Sequence, residues 1–520
     1  MVMATATDRR AGLSRLGPLA VLIGLGALGE HVGAQALRVQ PEFESTVTVT
    51  NNASFTSRDQ AQSDTIISVN PRLHVTSRGG RAAIEGTFGL EAVTYLNNAQ
   101  DSIVRPRGSL SLRSQLVERL MYLDASVTAD RISADPFAAR PESATAFNDY
   151  TQMRYRFTPY VERELTPSLS LLARTDHIIT RRVGSATGAA STEVARDSHE
   201  QEQTLRLAQR PQPFGWTAEL TRQETRLRYS DQAILTQTAA RAIGTYAVGP
   251  QLIVGVSVGR ENNEYSLIDR SDSIVGVRFN WQPNERGEVN ASLEKRFFGT
   301  GGDLEWRQRS PFLGFSIRAN RMPVAQSGSH LFGAAGDNLV SLLDGVLTTR
   351  YPDPGQRSTA VNDLVRQLNL PGTLTGPVEL YTSYAQLQDN VSATALFFGR
   401  LTTASATVFG RRRTRLADVE DVLAPASLSS DNLQYGVEID VSRRLSPVLT
   451  ADGGVRYTRI EGLGIRDGQA SRDAAIRFGM TRIVSINTRV SAGLRYQTVS
   501  SSVTSPANEM AVVGALLHRF

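Results

Sequence analysis

Six histidines and no cysteine limit the chemistry this 520-residue chain can carry. Without cysteine there is no thiol nucleophile, disulfide framework or zinc knuckle. Past residue 36 the histidines are His74, His177, His199, His330 and His518. Asp176 and His177 are adjacent, and neighbours along a strand point to opposite faces, so they make a poor acid–base dyad. His199 with Glu200 and Glu202 reads as a solvated loop edge before it reads as a metal site. The acids Asp418, Glu420 and Asp421 could ligate calcium, but plain solvation is the simpler reading. No Gly-x-Ser-x-Gly, His-Glu-x-x-His or phosphate-binding loop is present. The expectation is a non-enzymatic protein without cofactor or metal. A net charge of +5 is small for this length and argues against a nucleic-acid partner.

A different set of charges carries a pattern. Arg154, Arg156 and Glu162 alternate with Met153, Tyr155, Phe157 and Val161. Glu438 and Asp440 alternate with Val437, Ile439 and Val441, and Arg489 and Arg495 with Val490, Ala492, Leu494 and Tyr496. A period of two means strands with one apolar and one polar face. If the apolar face meets lipid, these seven charged residues line a lumen, since a charge in lipid at mid-depth costs roughly 2–4 kcal/mol. Their first reading is a mesh of ion pairs bracing a wide barrel, and their second a substrate-selective lining.

The positioning elements follow from the same alternation. It recurs in Leu37–Val49, in Ile67–Val75, after the Arg78–Arg81 turn, and at both ends of the chain, over lengths that exceed soluble strands and suit a tilted bilayer crossing. Short connections at Gly79-Gly80, Val117–Arg119, Thr166–Ser168, Gly249-Pro250, Gln282–Asn284 and Leu445–Pro447 alternate with long polar ones at Thr50–Ser63, Asn97–Pro106, Arg131–Asn148, Val183–His199 and Arg411–Asp431. The pattern predicts an all-β, transmembrane antiparallel barrel of about 20–22 strands over residues 37–520, with short turns on the periplasmic side. The mean hydropathy of −0.23 is compatible with this, because only alternate residues face lipid. The last strand, Glu509–Phe520, ends on an aromatic residue, and Phe520 reads as an assembly signal for the barrel-assembly machinery. Arg9, Arg10 and Arg15, the apolar run from Leu16 to Leu28 and the small-residue site Ala34-Gln35-Ala36 read as a cleaved signal peptide over residues 1–36. One stretch, residues 326–377, loses the alternation. Leu339, Leu342, Leu343 and Val346, and then Val361, Leu364, Val365 and Leu368, follow helical spacing on either side of Tyr351–Gly355. They predict two short amphipathic helices in one insert, either packed together on a loop or plugging the lumen, and extracellular if Ser310-Pro311 is a turn.

Four stretches carry a family likeness: Ser68–Tyr95 with its Arg-Gly-Gly-Arg turn, Leu116–Ser126, Tyr160–Pro167 and Ser442–Pro447. Through them the chain resembles the PEP-CTERM system-associated outer-membrane β-barrel family over most of residues 37–520. Members often carry an Asp-Asn pair near the first loop, where this chain has Asn51-Asn52. The resemblance implies a Gram-negative outer membrane and a setting of exopolysaccharide production and exosortase-dependent surface sorting, and it supplies no catalytic residues. Expected partners are outer-membrane lipid, the assembly machinery, and exopolysaccharide or envelope proteins. A general porin or solute channel is the alternative, and a barrel enzyme acting on lipid or surface polymer a more distant one.

Overall fold

The computed structural model describes residues 37–133, 149–183, 197–227, 233–265, 268–324, 385–416 and 431–520, with parts of 135–142 and 342–365. The expected signal peptide, residues 1–36, lies outside the described residues. Strands β1 to β8 are Arg38–Thr50, Asp64–Arg78, Ala82–Tyr95, Ile103–Val117, Met121–Ser133, Asp149–Glu164, Leu169–Val183 and Ser198–Gln209. Strands β9 to β15 are Phe214–Leu227, Ala233–Gly249, Leu252–Tyr265, Ile268–Asn284, Gly287–Arg296, Gly299–Arg309 and Leu313–Val324. Strands β16 to β22 are Gln386–Phe398, Thr402–Arg415, Asn432–Ser446, Leu449–Gly462, Ala470–Ser485, Thr488–Ser501 and Ala507–Arg519. Each pairs antiparallel with its sequence neighbours in one 22-stranded sheet, and β1 pairs with β22, so the sheet closes on itself.

Closure leaves no sheet edge for lipid to solvate, which is the condition for crossing a bilayer with strands. The seam runs from Glu42 opposite Arg519 to Thr50 opposite Ala511. The Phe520 N–H extends it by donating to the Pro41 carbonyl at 3.0 Å. On the inner side the buried Glu42 carboxylate accepts from Arg72 at 3.0 Å and Arg519 at 2.7 Å, tying β22, β1 and β2 together. On the outer side Phe520 packs edge-on against His518, with centroids 4.6 Å apart.

Pairing registers carry one face around the whole wall. Val47, Val49, Leu90, Val104, Val256, Val275, Leu293, Val408, Ile439, Val455, Ile476, Leu494 and Val512 all stand outward and exposed. Tyr155, Tyr435, Tyr457 and Tyr496 share this outer face toward one end, and Phe214, Trp216, Tyr246, Phe279, Trp281 and Trp306 toward the other. An apolar band between aromatic girdles is the outer surface of an outer-membrane barrel. Ten turns of two to four residues lie at the end that holds both termini, and every longer connection lies at the other. The turn end is therefore periplasmic and the loop end extracellular.

Several boundaries differ from expectation. Gln282–Asn284 belongs to β12, which runs through a register shift between Trp281 and Asn284, and Glu285-Arg286 forms the turn. A bulge of this kind accommodates Pro283, which has no N–H for the ladder. The connection after β3 is shorter than Asn97–Pro106, because Val104 and Pro106 pair with Ala92 and Leu90. Strand β17 runs on to Arg415, since Arg411 and Arg413 point inward and donate to Asn390 at 2.7 Å and Gln388 at 3.0 Å on β16. Ile486 is in the β20–β21 turn and almost fully exposed. Among the described residues, strands stop at Val324 and resume at Gln386. Beside the wall of β3 and β4, Gly86 and Gly108 allow close backbone approach. A Cβ on either would lie 2.2 Å from a carbonyl oxygen, of Ser109 or Thr87.

The face assignment predicts unequal effects at adjacent sites on β5. Val127→Arg puts a charge in lipid near mid-strand and should cost roughly 2–4 kcal/mol. Ser126→Arg enters the polar lumen and should be tolerated. Heat-modifiable gel mobility of both variants measures this, and equal damage would mean the register is off by one. Deletion of Phe520 should slow assembly, read as the yield of folded barrel when the assembly machinery is limiting, and an unchanged yield would remove its role as a signal.

Candidate functional site: the occupied lumen

All seven charged residues expected to face the lumen sit on the inner face of the sheet register. Arg156 pairs with Asp176 at 2.9 Å, and Asp176 also holds Arg174 at 2.7 Å and accepts from Thr158. Glu438 and Asp440 are both buried and share Arg477, which lies 3.4 Å from Glu438. Arg495 donates to the buried Glu509 at 3.1 Å. Arg154 and Arg489 lie on the same face, and Glu162 is exposed near the periplasmic end of β6. The seven do not form one cluster: three stand on β6 and four on β18 and β21. The sequence reading missed their partners Arg174, Asp176, Arg477 and Glu509, although these obey the same alternation. Further pairs continue round the wall, with Glu91 holding Arg105 at 2.7 Å, Glu219 holding Arg206 at 2.7 Å, and Glu305 holding Arg318 at 2.9 Å. Asp176 is thus committed inward, while His177 points outward and stacks on His199 with centroids 5.6 Å apart.

The connection between β5 and β6 folds inward and reaches the wall of β19–β21, roughly a third of the way round the barrel. Phe137 is fully buried there, with the Arg466 guanidinium 5.4 Å from its ring centroid. Ser501 donates to the Phe137 carbonyl at 2.7 Å, and Gln497 donates to the Arg140 carbonyl at 2.8 Å. The Glu142 N–H donates to Gln497 at 3.0 Å, and its carboxylate pairs with Arg456 at 2.9 Å. Gln497 itself is fully buried and also donates to Asp473 at 3.0 Å. The described part of this loop is thus anchored to the wall through its backbone and through the Glu142 side chain. Its composition gave no sign of this, because its anchors are spread over β19–β21, more than 300 residues later in the chain.

The insert between β15 and β16 leaves from the extracellular end, since Ser310–Phe312 is a periplasmic turn. Its helical residues 342–347 nevertheless lie against the periplasmic half of the inner wall. Leu342, Leu343 and Leu347 form one buried cluster with Val361 and with Leu396 of β16, and Tyr351, Leu364, Val365 and Phe398 pack around it. Gly314 near the start of β15 faces this helix: a Cβ there would lie 3.3 Å from side-chain carbons of Leu342 and Val346. Arg309 donates to the Gly345 carbonyl at 3.3 Å and the Thr348 hydroxyl at 2.7 Å. Arg357 binds Asp344 at 2.8 Å and the Tyr351 carbonyl at 3.0 Å, joining the two halves of the insert. Leu339 and Leu368 lie outside the described residues.

Across the barrel, the wall of β3–β7 keeps a cavity of about 370 Å³. Its rim carries Glu85, Arg113, Asp124, Arg156 and Arg174, charges of both signs, and Arg113 forms no ion pair among the described residues. Tyr122 and Tyr160 stack on the same inner face with centroids 5.0 Å apart. A surface of mixed charge, hydroxyls and aromatic rings suits a polar solute or a hydroxyl-rich chain.

The Asn51-Asn52 pair, where the resembled family often has Asp-Asn, ties the first loop to the seam. Asn52 donates to the Thr56 and Asn508 carbonyls at 2.7 and 2.9 Å, and Asn51 accepts from the Met510 N–H at 2.8 Å.

No protein-family model and no curated protein matches this chain. Solved structures of outer-membrane barrels do. The vanillate complex of OpdK from Pseudomonas aeruginosa is 9% identical, with 93% of this chain and 99% of that chain covered and a TM-score of 0.34. The siderophore receptor PiuA from Acinetobacter baumannii is 9% identical, with 94% and 82% covered and a TM-score of 0.48. The copper transporter OprC is 10% identical, with 94% and 81% covered and a TM-score of 0.41.

Proposed function

We propose that this protein is a non-enzymatic outer-membrane conduit for surface material, serving exopolysaccharide export or exosortase-dependent surface sorting, with a lumen held closed at rest. The observation that supports this reading is the packing of the chain's own extracellular segments against the inner wall. The insert reaches the periplasmic half of β14–β16, and the β5–β6 loop crosses to β19–β21. A 22-stranded barrel encloses enough space to leak unless it is obstructed. An open diffusion porin would gain nothing from a helix packed at its inner mouth. The family likeness supplies the process, and the mixed polar lining of the β3–β7 cavity suits a polymer of hydroxyls and scattered charges. That same cavity is what favours the second reading, a channel for a small polar solute.

Deletion of the gene should reduce surface polysaccharide or sorted surface protein, and complementation should restore it; unchanged surface material would contradict the export reading. In planar bilayers the intact barrel should conduct poorly. Replacing residues 326–377 with a short Gly/Ser turn should leave the barrel folded and raise single-channel conductance several-fold. High conductance of the intact protein would favour the small-solute channel instead.

A further inference from the structure

The outer wall of β7–β10 departs from the smooth apolar band. Small residues there, Ala173 on β7 and Thr238 and Ala240 on β10, flank the larger, directly paired Leu205 and Leu220 of β8 and β9. The result is an outward-facing groove of about 700 Å³ with a mainly apolar floor. Register puts these residues on the same face as the exposed Phe214, Trp216 and Tyr246, so the groove opens to lipid and not to the lumen.

The edges of the groove are cationic. Arg222 lines it directly, and Arg260 stands opposite Ala240 in the β10–β11 ladder. Arg222 and Arg226 share the Glu224 carboxylate, at 3.3 Å from Arg222, which leaves one net positive charge and free N–H groups on both forks. Arg260 donates only to the Ser271 hydroxyl at 3.0 Å and forms no ion pair among the described residues. Depth is set by the strand. Arg222 stands eight residues above Phe214 on β9. At a rise of about 3.3 Å per residue and a tilt of about 40°, that is roughly 20 Å, against an apolar band about 25 Å tall. The Arg222 guanidinium therefore reaches the headgroup level of the outer leaflet, while Arg260, in the ladder row of Ala240 and Leu220, starts two residues deeper beside the groove and extends toward that level. Gln201, Gln203 and His177 add hydrogen-bonding groups along the same upper edge.

We infer that this surface is a binding site for a phosphorylated, acylated glycolipid of the outer leaflet, with an acyl chain in the groove and a phosphate between Arg222 and Arg260. Charge complementarity selects the headgroup, because paired guanidiniums bind phosphate in forked geometry. The apolar recess selects an ordered chain over bulk lipid. The site lies on the lipid side of the wall and is independent of what the lumen carries.

The test uses the full barrel, stripped of lipid in detergent and titrated with lipid A under native mass spectrometry, with phosphatidylglycerol as the comparison. The intact protein should retain one lipid A in preference to phosphatidylglycerol. Arg222→Gln with Arg260→Gln should bind roughly tenfold more weakly, the loss expected for a charge-assisted contact. Ala240→Trp should fill the groove and abolish retention with both arginines intact, while Val256→Trp, elsewhere on the outer face, should change nothing. Gel mobility after heating checks that each variant is folded; should Ala240→Trp not fold, the arginine variant alone decides. Equal retention of lipid A by the intact and arginine-substituted barrels, or equal binding of phosphatidylglycerol, overturns the proposal.

Discussion

The constraint on which everything else depends is that lipid cannot hydrogen-bond to a peptide group. A strand crossing the membrane must find both neighbours, so the first and last strands must meet. Here they meet along Glu42–Thr50 and Ala511–Arg519, with a carboxylate between two guanidiniums on the inner side and an aromatic pair on the outer side. Closure forces a single outward face, and that face must be apolar. Every charge in the 22 strands must then go to the lumen or to the headgroup levels. The arginine–carboxylate pairs of the inner wall follow from this requirement, and so do the exposed arginines near the extracellular edge.

Closing 22 strands creates a second constraint, a lumen too wide for wall side chains to fill. The chain meets it with its own connections. The β5–β6 loop is pinned by Gln497, Ser501 and Arg456, and the insert by Arg309 and the apolar patch around Leu396. The two anchorages differ in kind. The loop is held by hydrogen bonds and ion pairs whose members are nearly all polar. The insert is held by an aliphatic cluster inside an otherwise polar lumen. Short helices are marginal without tertiary packing, so the wall that receives Leu342 and Leu343 is what stabilises the helix. The opposite wall, along β3–β7, carries the polar cavity.

The wall was legible in the sequence because alternation is a local signal. Val437, Ile439 and Val441 against Glu438 and Asp440 specify a strand and its two faces with no knowledge of the neighbours. Phe520 and the short turns specified closure and sidedness in the same way. Boundaries failed where residue type misleads: three consecutive arginines at Arg411–Arg413 look like a loop, yet two of them bind across the ladder to Gln388 and Asn390. The lumen was legible only in part. Helical spacing marked Leu342, Leu343 and Val361, but nothing local indicates that their partner is Leu396, or that the segment spans the barrel from the extracellular side to the periplasmic half. The inward β5–β6 loop was not legible at all, because its contacts join residues some 360 positions apart.

Whether the insert occupies the lumen beside β15 can be read from a crosslink. A Cβ on Gly314 would lie 3.5 Å from the Cβ of Leu342, inside the range in which a disulfide forms without backbone movement. The chain has no cysteine of its own, so Gly314→Cys with Leu342→Cys introduces the only thiols. Cleavage at a protease site engineered into residues 325–341, followed by non-reducing electrophoresis of barrels isolated from cells, reads the bond. The structure predicts near-complete oxidation, with the fragments held together until a reductant is added. Two free thiols in a folded barrel would contradict it and place the insert outside the lumen.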